Sequence, residues 1–218
     1  MTSKLETVTQ NIQTSAIESG RKGDDITLVA VSKTKPVEDI IPLLDQGHRI
    51  FGENKVQEAA GKWPDLRSNY NGVKLHLIGP LQSNKVRQAI HVFDVIETLD
   101  RPKLARALSR ISQEENISCP CYIQINIGHE DQKAGIAPEQ ADAFITLCRV
   151  SLSLPVIGLM CIPPSGQDPA PYFRQLKEIA ERNGLGKLSM GMSSDYQTAV
   201  RSGATSVRVG TALFGARF

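Results

Sequence analysis

The chain has 218 residues, 40% of them hydrophobic, which is enough apolar material for an ordinary packed core. Its 25 Lys and Arg nearly balance 23 Asp and Glu, so charge gives no reason to expect nucleic acid or an anionic membrane as partner, although one local anion site is compatible with it. No run approaches the roughly 18 consecutive apolar residues of a membrane span.

Residues 1–20 lack an apolar stretch of signal-peptide length and read as a polar, mildly amphipathic helix. Short runs rich in β-branched residues then alternate with longer stretches of helical period. The first run is Ile26–Ser32, followed by a helix from Pro36 with Val37, Ile40, Ile41 and Leu44 on one face and Gly47 at its C-terminal cap. Arg49–Gly52 is the second, with a helix from about Lys55 and Trp63 packing after it. Lys74–Ile78 is the third, with a helix from about Ser83. Phe93–Thr98 is the fourth, with a helix through Leu104, Ala107, Leu108 and Ile111. Cys121–Ile127 is the fifth, with a helix opened by Pro138. Pro155–Met160 is the sixth, with a helix over Tyr172–Arg182. Lys187–Met190 is the seventh, with a helix over Ser194–Ser202, and Ser206–Val209 is the eighth.

Eight strand–helix units after one leading helix exceed what a doubly wound open sheet usually uses. They match a closed α/β barrel, a single compact (β/α)8 TIM barrel with an extra N-terminal helix, for which about 200 residues is the lower limit. No low-complexity linker divides the chain, so residues 1–218 are expected to form one domain. The cysteines, Cys119, Cys121, Cys148 and Cys161, have no second Cys/His cluster to complete a zinc set. They read as reduced, buried or half-buried thiols, and the cytoplasm is the expected compartment.

In such a barrel the site forms where the strands end. The first strand ends in Ser32-Lys33-Thr34-Lys35, and by the period of two Lys33 shares a face with Val29 and Val31. If that face points inward, Lys33 is a desolvated amine at the mouth, suited to Schiff-base chemistry with an aldehyde. The bland reading is a solvated lysine at a strand end. Lys35 has the same direction but lies further into the loop. After the seventh and eighth strands come Gly191-Met192-Ser193-Ser194-Asp195 and Val209-Gly210-Thr211. Glycines and hydroxyls there suit a phosphate cradle, or only helix caps and turns, with Ser193 or Ser194 capping the next helix. Arg208 can face the barrel and hold a phosphate or a ring nitrogen, or form a surface ion pair. His76 reads equally as a mouth residue or a satisfied core histidine. Met160 alone reads as a core filler.

Several of these segments are motifs. AVSKTKP (Ala30–Pro36), FGENKVQEA (Phe51–Ala59), HLIGPLQSNK (His76–Lys85), QINI followed by QKAG (Gln132–Gly135), GLMCIPP (Gly158–Pro164), LSMGMSSDYQTAV (Leu188–Val200) and VRVGTALFGAR (Val207–Arg217) occur in that order. Together they resemble the pyridoxal phosphate homeostasis protein family over nearly the whole chain after the leading helix. The resemblance implies a barrel like the alanine racemase N-terminal domain, with pyridoxal 5′-phosphate held as an internal aldimine on Lys33. It implies that Asn54, His76 and Met160 line the cofactor and that Ser193, Ser194, Gly210 and Thr211 cradle its phosphate. Arg208 stands near the cofactor, against phosphate or ring nitrogen. Lys55 and the loop Gly128–Asp131 depart from the family's usual pattern without touching the expected anchor.

The resemblance implies a role in intracellular cofactor homeostasis, without substantial turnover, by a monomer that binds neither nucleic acid nor membrane and has cofactor-dependent apoenzymes as possible recipients. The alternative is an amino-acid racemase-like enzyme. Racemases of the related fold take an opposite-face tyrosine base from a second, β-rich domain, and only eight residues follow Gly210, so that domain is not expected here. A third reading, a sugar-phosphate barrel enzyme with an aldolase-like Lys33, fits the motifs poorly.

Overall fold

The β-branched runs become eight parallel strands: β1 (Thr27–Val31), β2 (Ile50–Glu53), β3 (Lys74–Leu77), β4 (Val95–Leu99), β5 (Cys121–Ile125), β6 (Val156–Cys161), β7 (Lys187–Ser189) and β8 (Ser206–Val209). In the computed structural model, which describes residues 2–215, they pair in sequence order and close by β1 pairing with β8. The end of the last motif, Ala216-Arg217, lies outside the described residues. The helices are α1 (Lys4–Glu18), α2 (Val37–Asp45), α3 (Val56–Asn69), α4 (Val86–Val92), α5 (Pro102–Glu115), α6 (Ala141–Thr146), α7 (Ala170–Arg182), α8 (Tyr196–Arg201) and α9 (Thr211–Phe214).

The leading helix α1 starts at a reciprocal cap, in which the Ser3 hydroxyl accepts from Glu6 N–H (3.1 Å) and the Glu6 carboxylate accepts from Ser3 N–H (2.7 Å). Its buried Val8, Ile12 and Ala16 join the apolar layer between strands and helices. Gly47 closes α2 at φ +87°, a conformation that costs glycine little.

Three details depart from the sequence reading. Most strand ends shift by one or two residues, β4 most, because Phe93 caps α4 and the strand starts only at Val95. Trp63 lies inside α3, which runs on through Pro64, and packs on Phe51 with ring centroids 4.9 Å apart. The turn of helix α9 was not expected, since four residues are too few to show a helical period.

Residues that alternate inward make the barrel interior polar. Glu97 on β4 and Ser189 on β7 hydrogen-bond at 2.6 Å, and strands so far apart in the barrel meet only through its centre. Residues of the other parity, such as Phe51 and Glu53 on β2, face the helices.

Candidate functional site

At the C-terminal ends of β1, β7 and β8 lies a recess of about 440 Å³, within the roughly 300–1,000 Å³ range of small-molecule sites. Six of the expected residues line it: Lys33, Ser193, Ser194, Arg208, Gly210 and Thr211. Val31, Ile78 and Ile162 supply apolar wall. Lys33, which follows the end of β1, thus borders the recess at the barrel mouth. Lys35 also borders the recess, but its ammonium donates to the Phe214 carbonyl at 3.3 Å and lies 3.8 Å from Asp39.

Ser193 does not cap α8, whose N-cap position is Asp195. Its hydroxyl oxygen instead accepts from the N–H groups of Gly210 (3.1 Å) and Ala212 (3.4 Å) at the start of α9. Two backbone donors thus converge on one oxygen at the recess wall, beside the hydroxyls of Ser194 and Thr211. Such a pair suits an anionic oxygen.

Arg208 is buried and bounds the recess from below. Its Nη1 donates to Ser189 Oγ (2.6 Å) and its Nη2 to the Cys161 carbonyl (2.9 Å). Glu97 lies 3.7 Å from it and accepts from Ser189 Oγ with one oxygen, while the other is 2.6 Å from His76 Nδ1. Burial raises the Glu97 carboxyl's proton affinity, but the His76 hydrogen bond and charge, with Arg208 and Ser189, outweigh it and hold its pKa below the usual carboxylate range. Burial pushes the Cys161 thiol up to about 12.

Three expected residues do not line this recess. His76 is buried, with its Nδ1 in the network around Glu97. Met160 is fully buried in the wall. Asn54 packs its backbone against Gly79, where a Cβ would meet the Asn54 carbonyl at 2.3 Å, and its buried Oδ1 has no hydrogen-bond partner among the described residues. The sequence reading passed over Glu97 and Ser189 altogether.

A second recess of about 320 Å³, lined by Gln124, Asn126 and Lys133, shares Ile78 and Ile162 with the first, so the mouth has two adjoining compartments. A larger, shallower recess of about 670 Å³ lies against α5 and holds none of the expected residues. Among the described residues no cluster of His, Cys, Asp or Glu can hold a metal ion, and no helix is long and apolar enough to cross a membrane.

A closed parallel barrel with a lysine and a hydroxyl-lined cradle at its mouth is the class of the alanine racemase N-terminal domain, and the model of that family matches residues 4–218. Within this class the chain belongs to the pyridoxal phosphate homeostasis protein family. It is 38% identical to the protein of that name from Haemophilus influenzae, covering 98% of this chain and 94% of the relative. The Escherichia coli K12 protein of the same name is 37% identical, over 98% and 95% of the two chains. PipY of Synechococcus elongatus, solved with PLP bound, superposes with a TM-score of 0.80 at 35% identity, covering 94% of this chain and all of PipY (100%). Alanine racemase from Corynebacterium glutamicum shares the fold, with a TM-score of 0.66 at 20% identity over 98% of this chain and 62% of the racemase.

Proposed function

We propose that this protein holds pyridoxal 5′-phosphate in the Lys33 recess and serves its homeostasis in the cell, limiting free aldehyde without substantial turnover of its own. The observation that carries the proposal is that Lys33 and the hydroxyl-rich loops after β7 and β8 line one small recess. When bound, the cofactor supplies an aldehyde that a primary amine captures as a Schiff base, with loss of water; Lys33 is that amine. The Ser193, Ser194 and Thr211 hydroxyls would hold the phosphate, with the Ser193 oxygen itself fixed by the Gly210 and Ala212 N–H groups. Arg208, two residues and about 6.6 Å of strand rise deeper than Gly210, lies beyond that cradle and would stand nearer the cofactor's ring than its phosphate. Glu97 and Ser189 hold its guanidinium in place.

The absence of a tyrosine base at the recess supports the reading of low turnover. Racemisation needs a second proton-transfer group on the opposite face of the substrate, and a missing one costs about 10²–10⁴ in rate. Among the described residues no tyrosine lines the recess. The Tyr196 hydroxyl accepts from Asn11 Nδ2 of α1 at 3.0 Å, and the Tyr172 hydroxyl bonds Gln167.

The direct test is borohydride reduction of the loaded protein followed by peptide mass mapping. The adduct is expected on Lys33; finding it on Lys35 or Lys133 overturns the assignment. Deuterium exchange at the α-carbon, with chiral analysis over a panel of amino acids, tests turnover. Robust exchange that disappears in Lys33→Ala would promote the racemase-like alternative.

A further inference from the structure

The turn that carries Lys33 is not held by its own sequence. Ser32-Lys33-Thr34-Lys35 closes through Lys35 N–H to the Ser32 carbonyl (3.0 Å), with Thr34 in the left-handed region at φ +63°. Threonine is β-branched and resists this conformation, so the surroundings must impose it. The surroundings here are three side chains from β2 and α3. Lys62 Nζ donates to the Ser32 carbonyl (3.1 Å) and the Lys35 carbonyl (3.0 Å), one at each end of the turn. The same ammonium is 2.9 Å from Glu53 Oε1 and 3.0 Å from Glu58 Oε1. Glu58 Oε1 accepts from Thr34 N–H at 2.7 Å, and Glu53 Oε1 from Ser32 Oγ at 2.7 Å.

An ammonium has three N–H donors and no acceptor. Lys62 has four oxygens within 3.1 Å and a side chain only 9% exposed, so it is enclosed by its acceptors. The carboxylates offset the cost of burying the charge, and the carbonyls make it a staple between the two ends of the turn. None of these three residues borders the recess.

We infer that Lys62, seated by Glu53 and Glu58, is a positioning residue that fixes the Lys33 turn so that the Lys33 amine meets the cofactor aldehyde in register. The inference rests on the proposal that Lys33 is the anchor. Its physical basis is that small misplacement of a reacting group, even from a remote change, costs up to about 10²-fold in rate.

The test separates capture from binding. Lys62→Met and Glu58→Ala are compared with the wild-type protein for the rate at which pyridoxal 5′-phosphate becomes borohydride-reducible. Affinity for pyridoxine 5′-phosphate, which carries an alcohol in place of the aldehyde, is measured by calorimetry. Capture is expected to slow by about 10- to 100-fold in Lys62→Met and less in Glu58→Ala, with pyridoxine 5′-phosphate affinity kept within about twofold and amide exchange at Thr34 and Lys35 accelerated. Glu58 is partly exposed, so Glu58→Ala decides the matter if Lys62→Met does not fold. Wild-type capture rates in the variants overturn the inference, as does equal loss for both ligands, which marks support of the whole site. If mass mapping of the wild-type adduct points to another lysine, the anchor proposal fails and the inference with it. If Lys33 carries the adduct and only the variants behave like wild type, the inference alone fails.

Discussion

Glu53 and Glu97 are both wholly buried, and they sit on opposite sides of the barrel wall. Each accepts from a serine hydroxyl, Ser32 at 2.7 Å and Ser189 at 2.6 Å, and each faces a cation, Lys62 at 2.9 Å and Arg208 at 3.7 Å. The difference lies in what the cation does next. Arg208 cannot lose its proton and lies in the barrel interior, where Glu97 is its carboxylate. Lys62 reaches a second carboxylate and two carbonyls of the Lys33 turn. Inside the barrel, then, the pair fixes a charge beneath the recess; outside it, the pair fixes a stretch of backbone beside the recess. A buried ion pair need not raise stability, and in both places its product is a placed group.

The largest effect is expected inside. Glu97→Ala leaves Arg208 buried without its carboxylate and should cost about 3–5 kcal/mol of stability, read from urea unfolding at neutral pH. Adding Arg208→Met should recover part of that loss, because the buried guanidinium left unpaired is then gone. A double variant no more stable than Glu97→Ala would mean that the guanidinium was not the burdened group. Glu53→Ala should cost less, about 1–3 kcal/mol, since Lys62 keeps Glu58 and both carbonyls. The reverse order of the two losses would break the comparison.

Acid sharpens it further. Glu97 has a native pKa below its ordinary value, so between the two values the unfolded chain binds more protons than the native one, and stability rises with pH there. The contribution is fully present above the ordinary carboxylate value of about 4.3 and is lost as pH falls through the depressed native value. Urea midpoints measured down through this range should fall more steeply for wild type than for Glu97→Gln. Parallel curves would assign the acid limb to other carboxylates.

Little of this network was legible in the sequence, although the fold was. Alternating β-branched runs mark each strand because half-buried strands demand that pattern. The parity that put Lys33 with Val29 and Val31, and the glycine–serine loops after β7 and β8, led to six residues that do share the recess. Glu97 did leave a signal, an acid inside the run Val95-Ile96-Glu97-Thr98-Leu99, since a charge in a buried strand must find a partner. The partners are on β3, β7 and β8, and no local pattern points across a barrel. Lys62 left less. With Glu58 four residues before it, Lys62 reads as one of the exposed pairs common on helices, and only the packing of α3 against the β1 turn buries it. Trp63 was misplaced because Pro64 reads as a helix stop.

The smallest expected effect concerns a third serine. Ser32 and Ser189 donate to carboxylates, whereas Ser193 has none and accepts from the Gly210 and Ala212 N–H groups. Ser193→Ala therefore removes two things. Loss of the cap on those donors acts through the fold, at about 1 kcal/mol, and weakens every ligand of the recess alike. Loss of the hydroxyl as a donor to phosphate acts only on phosphorylated ligands, at about 0.5–1.5 kcal/mol. Paired titrations separate the two: the affinity ratio of pyridoxal 5′-phosphate to pyridoxal should fall by about 2- to 12-fold, whatever happens to the absolute values. Gly210→Leu should lower the same ratio further, because its Cβ lies 3.4 Å from Val31 and the rest of the side chain must displace either that wall or the phosphate. An unchanged ratio in both variants would reduce Ser193 to a helix cap and move the phosphate away from β8, leaving the Arg208 network as the better candidate for its charge.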